Sequence, residues 1–150
     1  EVTRTARYYR VGHCDQEGEL WYVLHGYRQT AARFLRRFTV LADGSRMVVA
    51  PEALNRFYVG SEPGRHGPES IVGATWMTRE DREFEIQDYV RYLDALRKDI
   101  GPVSSTTVLG FSQGVATAAR WVVLGKIRPD RLVLWGDYQA GDDKLPDSQA

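Results

Sequence analysis

Residues 105–120, STTVLGFSQGVATAAR, decide the fold. The first half is rich in the β-branched and apolar residues of a strand covered on both faces, and the second half is a run of small helix formers. Gly110-Phe111-Ser112-Gln113-Gly114 lies at the junction. A Gly-x-Ser-x-Gly pattern turns up by chance in about one chain in twenty of this length if each residue type makes up about 7 %, so the pentapeptide alone decides nothing. Its setting does. A strand ending near Gly110 and a helix beginning at Gln113 form the strand–turn–helix that a nucleophile elbow requires. Ser112 would sit on a sharp, strained bend, with Gly110 and Gly114 where a side chain would collide with the neighbouring helix and strand. The competing reading of Ser112 is an ordinary helix N-cap.

Outward from this stretch, strand and helix patterns alternate. Residues 3–10 alternate polar with small or aromatic side chains, as a half-buried or edge strand does, and LWYVLHG (20–26) and RMVVAP (46–51) are short apolar runs of covered strands. Between them Ala31, Phe34, Leu35 and Phe38 recur at helical spacing, with Arg33, Arg36 and Arg37 opposite. Residues 55–74 hold six Gly and Pro positions (60, 63, 64, 67, 68 and 73), which predicts a long surface loop bordering a site. Thr78 and Asp81 have capping-box spacing ahead of a helix whose apolar face is Ile86, Tyr89, Val90, Leu93 and Leu96, stopped by Gly101-Pro102. RLVLWG (131–136) predicts one more covered strand. The pattern implies one α/β domain over residues 1–150 with a mainly parallel sheet.

Composition narrows the partners. Acidic and basic residues balance at 20 each, which argues against a nucleic-acid partner, and the chain has no apolar run long enough to span a membrane. Cys14 is the single cysteine, so no intrachain disulfide forms, and a reducing, cytoplasmic setting is expected. No metal site is expected: His13-Cys14-Asp15 are adjacent, and adjacent side chains diverge.

The motif suggests its chemistry. At the bend the Ser112 hydroxyl would lie at a helix N-terminus, where the Gln113 N–H favours a developing oxyanion. LHGYRQ (24–29) offers a second donor, the Tyr27 N–H, because Gly26 lets the backbone approach a substrate. Arg28 beside it is read as a solvated cation more than a ligand for an anionic substrate. VLHGYRQTAARFLRRF together with VLGFSQGVATAARW resembles the phospholipase/carboxylesterase branch of the α/β-hydrolase superfamily, the acyl-thioesterase-like small esterases, over about Trp21 to Gly136. The resemblance implies a three-layer α/β-hydrolase fold without its C-terminal strands, and Ser112 as nucleophile. It also implies Tyr27 and Gln113 backbone amides as oxyanion hole, and Trp76 and Met77 lining an acyl pocket. The activity implied is hydrolysis of a small-molecule carboxylic ester or thioester through an acyl-enzyme, without a cofactor.

A serine of this kind needs a general base, which in this superfamily follows it in the chain. The histidines here, His13, His25 and His66, all precede Ser112. Asp130, Asp137, Asp142, Asp143 and Asp147 follow it, but earlier than the superfamily's acid. The acid and base are therefore expected beyond residue 150, this chain being an N-terminal portion. Two alternatives stay open: a non-catalytic binding protein that keeps the elbow as a relic, and a homo-oligomer whose partner chain completes the sheet beside residues 131–135.

Overall fold

The run LWYVL, read as covered on both faces, forms strand β2 (Glu19–Leu24), and its side chains divide between two cores. Leu20, Tyr22 and Leu24 enter one with Met47, Val49 and Val108; Val23 enters the other with Val48, Ala50 and Leu109. Alternate residues of a strand face opposite ways, so a strand apolar throughout needs cover on both sides. The computed structural model, which describes residues 1–60 and 64–136, supplies that cover as a three-layer α/β arrangement.

The main sheet has the order β1-β3-β2-β6-β7, with β1 (Tyr8–Gly12), β3 (Arg46–Pro51), β6 (Ser105–Phe111) and β7 (Arg131–Trp135). Only β1 runs antiparallel, pairing Tyr8 with Pro51 through Gly12 with Met47; the other pairs are parallel. Helix α1 (Ala31–Leu35) covers one face through Ala31, Phe34 and Leu35, joined by Phe38 from the 3-10 turns over Arg36–Leu41. The helical spacing seen in the sequence thus spans two helix types. Helices α2 (Arg82–Ile100) and α3 (Gln113–Leu124) cover the other face, with Ile86, Tyr89, Leu93 and Leu96 packed near Ala118 and Trp121. No helix among the described residues is long and apolar enough to cross a membrane.

Two local expectations are corrected. Within residues 55–74, read as loop, the chain builds an antiparallel hairpin of β4 (Asn55–Tyr58) and β5 (Val72–Thr75) in a separate two-stranded sheet. Its glycines are partly packing residues, since a Cβ on Gly73 would lie 2.6 Å from the Arg28 carbonyl oxygen. The capping box before α2 does not form either. Asp81 caps in the left-handed region (φ 49°, ψ 37°) with no side-chain bond, and the Thr78 hydroxyl accepts from the Glu80 N–H instead (3.2 Å).

The junction of β6 and α3 leaves no room for side chains. A Cβ on Gly110 would overlap the Gly114 carbonyl and press within 2.9 Å of Ala118 Cβ; one on Gly114 would overlap the Leu24 carbonyl oxygen and lie 2.8 Å from that of His25. Strand, helix and the end of β2 thus meet backbone to backbone. Gly110→Ala is expected to destabilise the protein by about 3 kcal/mol, the upper range for forced overlap in a packed interior. Gly67→Ala, where a Cβ meets nothing within 4 Å, should stay within about 0.5 kcal/mol of the parent. Urea unfolding checks both, and equal midpoints for the two variants would contradict the packing argument.

Candidate active site

Ser112 occupies the one-residue bend between β6 and α3, with φ 54° and ψ −117°. A non-glycine residue held there costs on the order of 1–3 kcal/mol and persists only where its surroundings over-determine it. They do. The Ser112 N–H donates to the Trp135 carbonyl oxygen on β7 (3.2 Å), and the Ser112 carbonyl accepts from the Val115 N–H (2.9 Å). Although Ser112 stands at the N-cap position, its side chain makes no capping hydrogen bond, which tells against the N-cap reading of the sequence. The Gln113 N–H is the first of α3, and helix geometry gives it no intrahelical acceptor.

The segment after β2 lies directly against this bend. A Cβ on Gly26 would come within 3.0 Å of Ser112 Cβ and 3.1 Å of the Phe111 carbonyl oxygen. The segment is held by its neighbours: the Gly26 N–H donates to Gln29 Oε1 (2.7 Å), and the Gln29 N–H to the Gly26 carbonyl (3.3 Å). Arg28, exposed and in the left-handed region (φ 72°), donates its N–H to the Ala74 carbonyl of β5 (3.0 Å), and the Ala74 N–H returns to the Gln29 carbonyl (2.9 Å). Tyr27 is half exposed, its ring stacked on Phe57 of β4 at 5.2 Å; among the described residues its N–H has no partner.

His25 is fully buried with both ring nitrogens engaged. Nε2 accepts the Ala53 N–H (3.0 Å), so Nδ1 carries the proton and donates to the Gly26 carbonyl (2.8 Å). Burial pushes its pKa down, which keeps it neutral. Its geometry is that of a structural residue, with no nitrogen left to take a proton from Ser112. His66 stacks on Tyr58 in the hairpin (4.1 Å). Asp130 accepts the Thr106 N–H (2.8 Å) near the start of β6, about 20 Å from Ser112 at ~3.3 Å per strand residue. Asp137, Asp142, Asp143 and Asp147 lie outside the described residues. No group of three His, Cys, Asp or Glu side chains converges among the described residues.

Trp76 and Met77, expected along an acyl pocket, are packed in the core at 1 % and 6 % exposure. Trp76 stacks on His25 (5.1 Å) and donates its indole N–H to the His25 carbonyl (2.8 Å). Two residues that sequence reasoning missed hold the site from beneath. One is Gln29; its only sequence signal was its place in HGYRQ. The other is Glu52, buried just after β3, which accepts from Arg7 Nε (2.6 Å), Arg56 Nε (2.7 Å) and the Ala31 N–H (3.2 Å). Burial would raise the Glu52 pKa, but the hydrogen bonds from Arg7, Arg56 and Ala31 outweigh it and hold the carboxyl below its ordinary value. A carboxylate after Pro51 gave no hint of this.

No protein-family model and no curated protein matches the sequence. Solved structures do match in fold. A "probable hydrolytic enzyme" of Pseudomonas aeruginosa is 25 % identical with a TM-score of 0.54, over 85 % of this chain and 35 % of its own. An esterase of Exiguobacterium antarcticum is 19 % identical with a TM-score of 0.53, over 86 % of this chain and 40 % of its own. A bromoperoxidase of Bacillus anthracis is 19 % identical with a TM-score of 0.51, over 85 % and 38 %. The chain has the α/β-hydrolase fold and spans well under half the length of these three structures.

The Glu52 cluster generates a pH prediction. Because the folded-state pKa is depressed, the stabilisation is fully present above the ordinary value of 4.5 and is lost as pH falls through the folded value. Glu52→Gln should cost about 2 kcal/mol at pH 7, a figure kept modest because Arg7 and Arg56 reach solvent. The gap should narrow as pH drops below 4.5. Urea titrations at pH 7 and pH 3 check this, and a gap of unchanged size would remove the carboxylate from the explanation.

Proposed function

We propose that this chain carries the nucleophilic half of a serine hydrolase acting on carboxylic esters or thioesters of small molecules. The observation that supports it best is the Ser112 bend, strained, uncapped and pressed against the Gly26 segment. In this reading Ser112 Oγ attacks the substrate carbonyl carbon and its proton passes to a base. The oxygen that gains negative charge is held by the N–H groups of Tyr27 and Gln113. The tetrahedral adduct then expels the alcohol or thiol, which takes up the proton, and water releases the acyl group from Ser112 by the same steps in turn. Each amide donor is worth about 3 kcal/mol in the transition state.

The fold alone does not fix this chemistry, since unrelated reactions share it. Three further observations support the reading. The solved structures of this fold include proteins titled esterase and hydrolytic enzyme. The hairpin stacks Phe57 on Tyr27, an aromatic surface suited to an acyl or alcohol group. Strand β7 carries Leu132, Leu134 and Trp135 at 39–46 % exposure, which fits further chain packing there and supplying the acid and base. In this reading Trp76 supports the Gly26 segment through its indole N–H bond to the His25 carbonyl, and the Met77 carbonyl holds the Gln113 side chain. The reaction calls on no cofactor, and the single cysteine fits a reducing cytoplasm. The relic reading draws on one observation, that His25 is occupied at both nitrogens.

In the full-length gene product, Ser112→Ala should lower turnover of a p-nitrophenyl ester by about 10⁴–10⁶-fold, and a fluorophosphonate should label Ser112 and nothing else. Hydrolysis at the parent rate by Ser112→Ala would refute the nucleophile. A parent protein that neither hydrolyses esters nor takes the label would favour the relic.

A further inference from the structure

The two amides assigned to the oxyanion come from segments far apart in sequence, and both must hold their places within a fraction of an ångström. The direct approach of Gly26 to Ser112 is a van der Waals contact and fixes no orientation. The polar connection runs through Gln113 and Trp76. Gln113 Oε1 accepts the Trp76 backbone N–H (2.9 Å), and its Nε2 donates to the Met77 carbonyl (2.9 Å) and to Thr75 Oγ1 (3.0 Å). The Thr75 hydroxyl in turn donates to the Met77 carbonyl (2.8 Å). An N–H can only donate and a carbonyl only accept, so these partners determine which end of the carboxamide is which.

Trp76 then reaches the other segment. Its Nε1–H donates to the His25 carbonyl (2.8 Å) and its ring stacks on the His25 imidazole, which donates from Nδ1 to the Gly26 carbonyl (2.8 Å). The connection is continuous from the residue bearing one amide, Gln113, through Trp76, His25 and Gly26 to the peptide bearing the other, that of Tyr27. Thr75, Trp76 and His25 are all buried, so water does not compete for these bonds.

Resting on the serine hydrolase reading above, we propose that the side chains of Gln113 and Trp76 are positioning residues that set the separation and aim of the two oxyanion amides. Neither side chain touches substrate; they act through the backbone at 113 and 27. A displacement of about 1 Å in such a site costs on the order of 10²-fold in rate, and loss of the link acts on the transition state more than on ground-state binding.

The experiment uses the full-length gene product. Trp76→Phe keeps a ring against His25 and removes one donor, Gln113→Glu keeps the size and removes both Nε2 donors, and Ile86→Ala serves as a core variant that makes none of the bonds of the link. Turnover and KM for a p-nitrophenyl ester, affinity for an arylboronic acid that forms a tetrahedral adduct on Ser112, and melting temperature are measured for each. Trp76→Phe and Gln113→Glu should each lower kcat by about 10–100-fold with KM changed less than about 3-fold. Boronate affinity should fall in parallel. The double variant should be little worse than either single one, because both break the same connection. Ile86→Ala should lower the melting temperature and leave kcat at 25 °C near the parent value.

Folded link variants with parent kcat, a kcat loss that merely follows melting temperature as in Ile86→Ala, or strictly additive losses would each overturn the proposal. These failures differ from failure of the nucleophile reading, which shows as a Ser112→Ala protein that still hydrolyses the ester at the parent rate and takes the link proposal down with it.

Discussion

The structure depends on one constraint, the meeting of three backbones without intervening side chains. Gly110 near the end of β6, Gly114 in the first turn of α3 and the carbonyls of Leu24 and His25 where β2 ends are closer than any Cβ allows. Tertiary packing, and not the local preference of serine, holds Ser112 at φ 54°. The strain is borne by a sheet whose central strands β2, β3 and β6 are covered on both faces and by a helix buried from Gly114 to Trp121. Enlarging any of the three partners moves the other two. The parallel pairing of β2 with β6, Leu24 opposite Gly110, brings the Gly26 segment to the same end of the sheet as Ser112.

Around that contact buried polar bonds hold the site. Glu52 ties the N-terminal segment through Arg7, the hairpin through Arg56 and helix α1 through the Ala31 N–H. The next residue, Ala53, donates to His25. A buried carboxylate is tolerable only with its partners in place, and three donors supply them. Gln29 and Arg28 attach the Gly26 segment to itself and to β5. The hairpin is thereby fixed to the site it borders, and Tyr27 on Phe57 continues that attachment at the surface.

What the sequence disclosed and what it hid follow from the range of the forces involved. Strands β2, β3 and β6 and helices α2 and α3 were legible because doubly covered strands and amphipathic helices write their burial into local periodicity; β7 was legible as a strand, but its cover was not as expected, since four of its five residues are exposed. The bend at Ser112 was legible because its two glycines stand at fixed spacing between a strand pattern and a helix pattern, although the contact that Gly114 makes, with the Leu24 carbonyl, is distant in sequence. The hairpin was not: its glycines and prolines looked like loop punctuation, and Gly73 serves a long-range contact with Arg28. Thr78 and Asp81 had the spacing of a capping box, yet the Asp81 backbone turned left-handed. The sequence marked Trp76 and Met77 as apolar residues ahead of a helix, and their burial in the core depends on partners, among them His25 and Tyr89, that no local pattern names. Glu52, Gln29 and the Gln113 carboxamide act through partners distant in sequence, and no periodicity records such bonds.

The two halves of the proposed chemistry make different demands on the chain, which explains why one is complete here in outline. Stabilising an oxyanion needs fixed amides, and the backbone contact among β2, β6 and α3 provides a rigid frame for them. Taking a proton from Ser112 needs a titratable side chain with a free nitrogen or oxygen facing the bend. His25 cannot become one by a rotamer change, since its Nε2 satisfies the Ala53 N–H and its Nδ1–H satisfies the Gly26 carbonyl. Freeing either nitrogen would strand a buried backbone group at a cost of about 1–3 kcal/mol and loosen the very segment that carries Tyr27. In the proposed reaction His25 therefore serves by holding the Gly26 segment, and the proton from Ser112 would go to a group other than His25.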